Sequence, residues 1–149
     1  MKLMTFELDI NASCWEDKTD SVPNNPGLYF VYGCYKEGDK WYSGDLIYIG
    51  ESGMLKDRIV QHYVHSNPDD DLSVGLPGIY KKLWYTYALY NGTEAARKLC
   101  ESALIFRHKP LRNKKNKDNF EAETSVSVVL RGEVRKLVTS FRLDPDNNS

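Results

Sequence analysis

Six side chains of reactive type occur in a fixed order along the chain. They are two phenols, a guanidinium, an imidazole, a carboxylate and a carboxamide, at Tyr29, Tyr48, Arg58, His62, Glu101 and Asn113. Hydrolysis of a phosphodiester needs a deprotonated oxygen nucleophile, neutralisation of the charge that builds on the phosphorane, and a hard cation such as Mg²⁺. The set contains a candidate for each need. Taken singly, each residue is more often an ordinary core or surface residue.

Two β-prone segments position the two tyrosines. Residues 27–35, GLYFVYGCY, and 45–50, DLIYIG, are rich in aromatic and β-branched side chains, which predicts two antiparallel strands. The connector KEGDKWYSG contains two glycines, so we expect an extended and exposed loop between the strands. Gly27 and Gly50 carry no side chain and allow the strands to pack closely where they meet the next helix.

The arginine and histidine fall in a segment with helical periodicity. The pattern predicts a helix over residues 54–64, with Ser52 or Gly53 as its cap. Arg58 and His62 are four residues apart and form a row beside the apolar stripe, so both can reach over the strands. The residues of that stripe are Leu55, Ile59 and Tyr63.

The carboxylate lies on a second predicted helix. Thr93 is its expected cap and Pro110 its expected end. Glu101 lies off the apolar stripe of this helix, so its side chain is available to a site. The stripe residues are Ala96, Leu99, Ala103 and Phe106.

The remaining patterns predict strands and loops. Residues 83–90 form a β-prone run, and 125–142 resemble a hairpin that turns at Arg131-Gly132-Glu133. Alternating apolar residues at the front of the chain predict a further strand beside that hairpin. We expect a loop over 65–77 and disorder in the final DPDNNS. The front-strand residues are Phe6, Leu8 and Ile10.

Length and composition predict one soluble, cytoplasmic domain. The chain has 149 residues, 41% of them hydrophobic and 28% charged, which is ordinary for a globular protein with its own core. Its start lacks the uninterrupted apolar stretch of a signal peptide, and no run is long enough to span a membrane. Cys14, Cys34 and Cys100 form no C-x-x-C pair, so we expect buried free thiols.

The ordered set resembles the catalytic domain of the GIY-YIG endonuclease family. The chain presents GLY at 27–29, YIG at 48–50, GESGMLKDR at 50–58, ESALI at 101–105 and PLRN at 110–113. The resemblance covers residues 23–119. Its departures are Leu28 in place of the usual isoleucine and a longer connector between the two triplets, and neither touches a reactive group.

The resemblance implies a fold and an activity. The implied fold is α+β, with a small three-stranded antiparallel sheet flanked by helices, and here an extra N-terminal strand and the C-terminal hairpin over 125–142. It implies a single nuclease domain over 1–149. The implied activity is divalent-metal-dependent hydrolysis of DNA, with Mg²⁺ or Mn²⁺ as the cation.

Roles for individual residues follow from the same resemblance. It implies that Tyr29 takes the proton from the attacking water and that Tyr48 hydrogen-bonds the nucleophile or the phosphate. A phenol beside a cation and a guanidinium is pushed toward the phenolate. Arg58 is expected to stabilise the transition state. His62 donates to the phosphate or relays a proton, and Glu101 holds the metal. Asn113 fixes the loop near the metal or a phosphate.

Several segments of the chain are candidates for the contacts that select the DNA substrate. The net charge is −1, so a basic surface must be local. Such a segment lies at 107–117, and its residues Lys109, Arg112, Lys114 and Lys115 are candidate DNA contacts. The 36–45 connector and the 65–80 loop are further candidates. One active site cuts one strand, so double-strand cleavage requires a homodimer or two events, and targeting can come from a protein partner. Restriction enzymes, intron-encoded nucleases and the nicking subunits of excision repair and junction resolution share this core.

Three alternative readings accompany these expectations. A catalytically silent nucleic-acid- or protein-binding module could use the same scaffold, although all the reactive positions are filled. His62 and His65 have the spacing of a zinc pair, but no third ligand is placed to complete it. Residues 77–80, PGIY, contain the GIY triplet of the family letter for letter, whereas residues 26–29 read PGLY. No YIG follows the copy at 77–80. We interpret that second copy as a junction between a loop and a strand.

Overall fold

A mixed six-stranded sheet carries one helix on each face. The computed structural model describes residues 3–15, 19–64 and 79–145. The strands are β1 Leu3–Trp15, β2 Gly27–Glu37, β3 Lys40–Ser52, β4 Lys82–Leu89, β5 Ser125–Gly132 and β6 Ser140–Leu143, and the helices are α1 Leu55–Val64 and α2 Glu94–His108. No helix in these described ranges has the length and apolar character needed to cross a bilayer.

The sheet is larger than the sequence predicted. Its strand order is β3-β2-β4-β1-β5-β6, so the expected antiparallel trio β3-β2-β4 forms one half of it. The N-terminal strand and C-terminal hairpin, expected as additions to a three-stranded sheet, continue the same sheet. The reason is the 13-residue length of β1, whose first part pairs with β5 in parallel and whose last part pairs with β4 antiparallel. The α+β class is confirmed, and the three-stranded description is too small.

Each face of the sheet contributes to a separate hydrophobic cluster. The first eight residues of β2 are all buried, because α1 covers one face of this strand and α2 the other. Leu28 and Phe30 pack with α2 and β1, whereas Tyr29 and Val31 pack with α1. Side chains alternate across a strand, so consecutive residues of β2 enter different clusters.

Both helices begin close to the expected positions. Met54 N–H donates to Ser52 Oγ at 2.9 Å just before α1, and Ala96 N–H donates to Thr93 Oγ1 at 3.1 Å at the start of α2. The predicted Thr93 cap is therefore confirmed, and α2 ends before Pro110 as expected. The side chain of Tyr63 lies outside the described residues.

The buried face of α2 differs slightly from the predicted stripe. Ala103 is fully buried as expected, together with Cys100 and Leu104. Leu99 and Phe106 are only partly buried at the border of the cluster. The face of α2 that contacts the sheet is therefore centred about one residue further along the helix than the predicted apolar stripe.

The connector between β2 and β3 is not a loop. Glu37 pairs directly with Lys40, so a tight turn joins two strands that both extend well beyond their apolar segments. Gly38 at this turn has φ of +60°, in the left-handed region where glycine carries no steric penalty. The residues expected to form an extended loop thus form a long β-hairpin instead.

The predicted C-terminal hairpin is present with a longer turn. Val126, Val128 and Leu130 point into the core from β5, which pairs antiparallel with β6. The connection spans residues 133–139 rather than three residues. Asp144, in the segment expected to be disordered, accepts a hydrogen bond from Ser125 Oγ at 2.6 Å, and residues 146–149 lie outside the described part.

Tyr80 belongs to the second PG-x-Y copy and packs against the long hairpin. Its hydroxyl accepts a hydrogen bond from Asp45 N–H at 2.8 Å and donates to the Asp45 carboxylate. Pro77 and Gly78 lie outside the described residues, as do most of residues 65–80. The Tyr80 contact is made with the distal part of β3, and Tyr80 does not line the cavity described below.

Gly27→Ala should destabilise the fold by about 2 kcal/mol, because the added methyl group would overlap Ala88 O and lie 2.7 Å from Leu55 Cδ1. Gly53→Ala is the matched control, since a Cβ there has its nearest neighbour at 3.7 Å, and it should change stability by less than about 0.5 kcal/mol. Urea denaturation of both variants measures the difference. Equal midpoints would contradict the close approach of β2, β4 and α1.

Candidate active site

An open cavity of about 380 Å³ brings four separated segments of the chain together. Its walls come from β3, α1, α2 and the segment that follows α2. Five of the six predicted reactive residues line it, namely Tyr48, Arg58, His62, Glu101 and Asn113. Residues that are far apart in the sequence therefore lie around one cavity.

Tyr29 lies behind the cavity wall. Its side chain is 1% exposed, and its hydroxyl is 2.8 Å from Nε2 of His62. The ring stacks beside that of Tyr48 with 6.0 Å between the centroids. A Cβ on Gly50 would overlap the Tyr29 ring, so the glycine of the second triplet makes room for the tyrosine of the first. The two triplets are thus neighbours on paired strands.

Burial dominates the electrostatics of both phenols and raises the pKa of each. Burial raises the pKa of Tyr29 well above its usual value, and the neighbouring Tyr48 raises it further. Burial likewise raises the pKa of Tyr48, with a second contribution from Glu101. Arg58 lowers the pKa of both phenols, which is the direction predicted from the sequence. Burial, however, outweighs that effect on both pKa values.

Helix α1 supplies the guanidinium and the imidazole one turn apart. His62 is buried, and its ring contacts the Tyr48 ring edge-to-face at 5.5 Å between centroids. Arg58 is partly exposed, and its Nη1 donates to Gln61 Oε1 at 2.9 Å. The positive charge of Arg58 also acts on the Tyr48 phenol, whose pKa it lowers. The fork of Arg58 is therefore held beside the phenol at the cavity wall.

Glu101 faces the same cavity from α2. Burial raises the pKa of this carboxyl to about 7, and the nearby Glu51 carboxylate raises it too. The Glu51 backbone N–H, Lys98 and Arg58 act in the opposite direction. The surroundings thus disfavour the ionised form of Glu101, and a bound cation would stabilise that form.

A buried ion pair beside Glu101 was missed by the sequence reasoning. Arg97 Nε donates to Glu51 Oε2 at 2.6 Å, with side-chain exposures of 9% and 15%. Two signals were available, because Arg97 lies four residues before Glu101 on one helix and Glu51 directly follows Gly50. The pair joins β3 to α2 and holds Glu101's helix against the strand that carries Tyr48.

Asn113 closes the outer edge of β3. Its Oδ1 accepts from Ile49 N–H and its Nδ2 donates to Ile49 O, both at 2.9 Å. Arg112 N–H donates to Ile47 O at 2.7 Å beside it. β3 is an edge strand, and the carboxamide of Asn113 makes the hydrogen bonds to Ile49 that a further strand would make. Both polar atoms of the side chain are engaged with the main chain of Ile49.

The basic segment after α2 divides into two parts. Arg112, Lys114 and Lys115 line the cavity. Lys109 instead adopts a left-handed backbone at the end of α2, and its Nζ donates to Phe106 O at 3.0 Å and to Lys117 O. The ammonium of Lys109 therefore secures the turn, whereas the other three charges face the candidate site.

The donor set fits Mg²⁺ held by one carboxylate. Mg²⁺ keeps several waters and binds through one or two carboxylates together with substrate phosphates. Glu101 is the one carboxylate among the described residues that line the cavity. Within the described ranges no three His, Cys, Asp or Glu side chains are grouped to enclose a metal. His65, the second histidine of the zinc reading, lies outside these ranges.

Sequence comparison finds relatives over about two thirds of the chain. No family model matches. UvrABC system protein C of Dehalococcoides mccartyi is 30% identical over 104 residues, which is 70% of this chain and 15% of that protein. The protein of the same name from Desulfatibacillum aliphaticivorans is 32% identical over 98 residues, 66% of this chain and 14% of that protein. The alignments thus span about one seventh of the relatives' length.

Structural comparison finds a solved domain with partial similarity to this chain. The GIY-YIG N-terminal endonuclease domain of UvrC from Thermotoga maritima, bound to its catalytic divalent cation magnesium, is 20% identical to this chain. The match covers 62% of this chain and 86% of that domain, with a TM-score of 0.40.

Proposed function

We propose, from the premise that this chain belongs to the GIY-YIG family, that it is a divalent-metal-dependent endonuclease that hydrolyses DNA phosphodiester bonds. The observation that carries the proposal is the single cavity lined by Glu101, Arg58 and Tyr48 from three different elements. A carboxylate for a cation, a guanidinium for a phosphate and a phenol for a nucleophile are the groups this reaction needs in one place.

We assign activation of the attacking water to three linked rings. Tyr48 and His62 line the cavity and would hold the water, while Tyr29 contacts His62 from behind at 2.8 Å. Because Tyr29 is buried, it acts through these two neighbours instead of touching the water directly. The proton leaves the water for the His62–Tyr29 pair as the new P–O bond forms. The bond from phosphorus to the leaving oxygen then breaks, and that oxygen keeps the electron pair and takes a proton from solvent.

The cationic side chains of the cavity would bind the substrate phosphates. Arg58 lines the cavity together with Tyr48 and lowers the pKa of that phenol, so it is assigned to the scissile phosphate, where its planar fork can donate to two oxygens as charge builds. Arg112, Lys114 and Lys115 are assigned to flanking phosphates. Lys109 is better explained as a structural residue at the turn.

Glu101 would hold the cation. A bound Mg²⁺ or Mn²⁺ supplies Lewis-acid stabilisation of the phosphorane and favours deprotonation of nearby oxygen acids. The carboxylate of Glu101 would hold that charge in the same cavity as Arg58, so both positive centres would act on the phosphate. Glu51 and Arg97 keep the supporting elements in register and do not contact the substrate in this assignment.

We also propose that a protein partner contributes to targeting. The matched relatives are named as components of a UvrABC system, and this chain corresponds to a small part of their length. The match favours a nicking role similar to that of an excision-repair subunit. A single cavity of this kind cuts one strand.

Incubation with supercoiled plasmid in Mg²⁺ or Mn²⁺ tests the proposal, with EDTA as the control. The expected first product is the nicked circle, because one site cuts one strand. Nicked, branched, single-stranded and plain duplex DNA should then be compared at low salt, where phosphate contacts contribute most to affinity. Binding without cleavage of any of these forms would favour the catalytically silent module.

A further inference from the structure

All three tryptophans of this chain line one cavity away from the candidate active site. Trp15 ends β1, Trp41 is the second residue of β3 and Trp84 lies in β4, yet they meet around a volume of about 220 Å³. This cavity shares no lining residue with the cavity of Glu101 and Arg58. It lies at the distal end of the long hairpin formed by β2 and β3, which the proposed hydrolysis does not use.

The aromatic rings that line this cavity are exposed or only partly buried. Trp15 and Trp41 lie 5.3 Å apart between centroids with their planes inclined by 56°. Trp41 is 38% exposed and the adjacent Tyr42 is 41% exposed. A hairpin tip needs no large aromatic side chains for its turn. Clustered exposed rings of this kind usually mark a binding site.

A positive charge accompanies each tryptophan. Lys82 Nζ lies 4.8 Å from the ring centre of Trp15, and Lys36 Nζ lies 5.9 Å from that of Trp41. Arg135 places its guanidinium carbon 4.8 Å from the ring centre of Trp84. These cations would repel a cationic ligand. They favour a ligand that combines flat apolar rings with negative charge.

Arg135 is held in place from the main chain. Tyr32 Oη donates to Arg135 O at 2.6 Å, and Arg135 Nη1 lies 3.4 Å from Ser43 Oγ. Its ion pair with Glu133 is exposed at 3.6 Å, so this contact costs little to exchange for a phosphate. The cation over Trp84 is thus positioned before any ligand arrives.

We propose that this tryptophan cavity binds a single-stranded segment of DNA. Unpaired bases would stack on the exposed indole of Trp41 and on the accessible edges of the partly buried Trp15 and Trp84, and the backbone phosphates would contact Lys36, Lys82 and Arg135. Paired bases keep their faces stacked inside the helix, so a duplex cannot use the rings. The choice of DNA rests on the proposed function, whereas the preference for unpaired bases rests on the cavity itself.

The distance between the two sites sets a length requirement. Tyr29 and Lys36 are seven residues apart along β2, which corresponds to roughly 23 Å. A strand with a rise of roughly 3.4 Å per nucleotide covers this distance with about seven nucleotides. An oligonucleotide clearly longer than this can occupy both sites, and a shorter one can occupy only one.

The tryptophans themselves report on binding. Titration of the full chain in EDTA with a six-nucleotide oligothymidylate, which is too short to span both sites, should quench the intrinsic tryptophan emission and saturate. A plot of log affinity against log salt should have a slope of about −2, as expected for three phosphate contacts to a single strand.

Trp41→Ala should weaken the oligonucleotide about tenfold, since loss of one stacking platform commonly has an effect of this size. Trp41→Phe should recover part of that loss. Leu89→Ala is the matched control, because it removes an exposed apolar side chain from the other end of β4, and it should leave the affinity unchanged.

Four competitors distinguish the ligand sources: a duplex of equal length, thymidine monophosphate, an acidic peptide and a basic peptide. Weak binding of the mononucleotide and weaker quenching by the duplex support the proposal. Equal quenching by duplex and single strand would overturn the proposal. Saturable quenching by one of the peptides but not by the oligonucleotide, or no quenching by any ligand, would overturn it too. Because these titrations contain no metal, quenching without nuclease activity would remove the proposed function and leave this inference standing.

Discussion

Glu101→Gln should reduce cleavage of supercoiled DNA to background and at the same time make the metal-free protein more stable. The amide is nearly the same size as the carboxylate but carries no charge to hold a divalent cation. A stained gel of plasmid forms, read over a Mg²⁺ titration, measures the loss of cleavage. Glu94→Gln makes the same chemical change on the exposed side of α2 and should leave cleavage unchanged.

The gain in stability follows from the raised pKa of Glu101. The carboxyl has a pKa of about 7 in the folded chain and about 4.5 when unfolded, so the folded state binds more protons between these values. The free energy of unfolding of the wild type therefore falls as pH rises from about 4.5 to about 7. Glutamine does not titrate. At pH 8 the variant should be more stable by on the order of 2 kcal/mol, and at pH 4 the two should be similar.

Urea denaturation in EDTA at several pH values measures this difference. A variant that is less stable than the wild type at pH 8 would show that Glu101 is stabilised by protein contacts and not held ready for a cation. Retained cleavage with altered stability would remove Glu101 as the metal ligand. The two measurements therefore separate the structural role of the side chain from its catalytic one.

Arg58→Ala should lower the rate of the chemical step about a hundredfold or more, because one positioned donor to the developing negative charge commonly contributes that much. Arg58→Lys should recover little of the rate, since an ammonium cannot replace the planar fork that contacts two oxygens. Single-turnover cleavage at saturating DNA and Mg²⁺ measures the step, and binding in EDTA measures ground-state affinity.

Lys56→Ala is the matched control for Arg58. It removes a cation two residues earlier on α1 that does not line the cavity, so the rate should stay close to that of the wild type. A variant at Arg58 with weakened binding but an unchanged single-turnover rate would assign Arg58 to general phosphate binding. A rate within tenfold of the wild type would contradict its proposed place at the scissile phosphate.

Local signals in the sequence were sufficient for the elements and for the membership of the site. The Thr93 cap and the Pro110 stop depend on a few adjacent residues, and both appear where the sequence indicated. The GLY and YIG triplets fall on paired strands, with Tyr29 opposite Gly50. Five of six reactive residues line one cavity. Capping and strand propensity act over a few residues, which is why they can be inferred from the sequence.

The sequence by itself thus determined the helices, most of the strands and which side chains could take part in the chemistry. Only the tertiary structure decided that Tyr29 is buried behind Tyr48, that Asn113 closes the edge of β3, and that the presumed connector is a hairpin ending at a tryptophan cavity. The hydrogen bonds involved join residues 33 and 64 positions apart. Burial and pairing at such separations depend on how the whole sheet closes around the helices, and no local pattern encodes that.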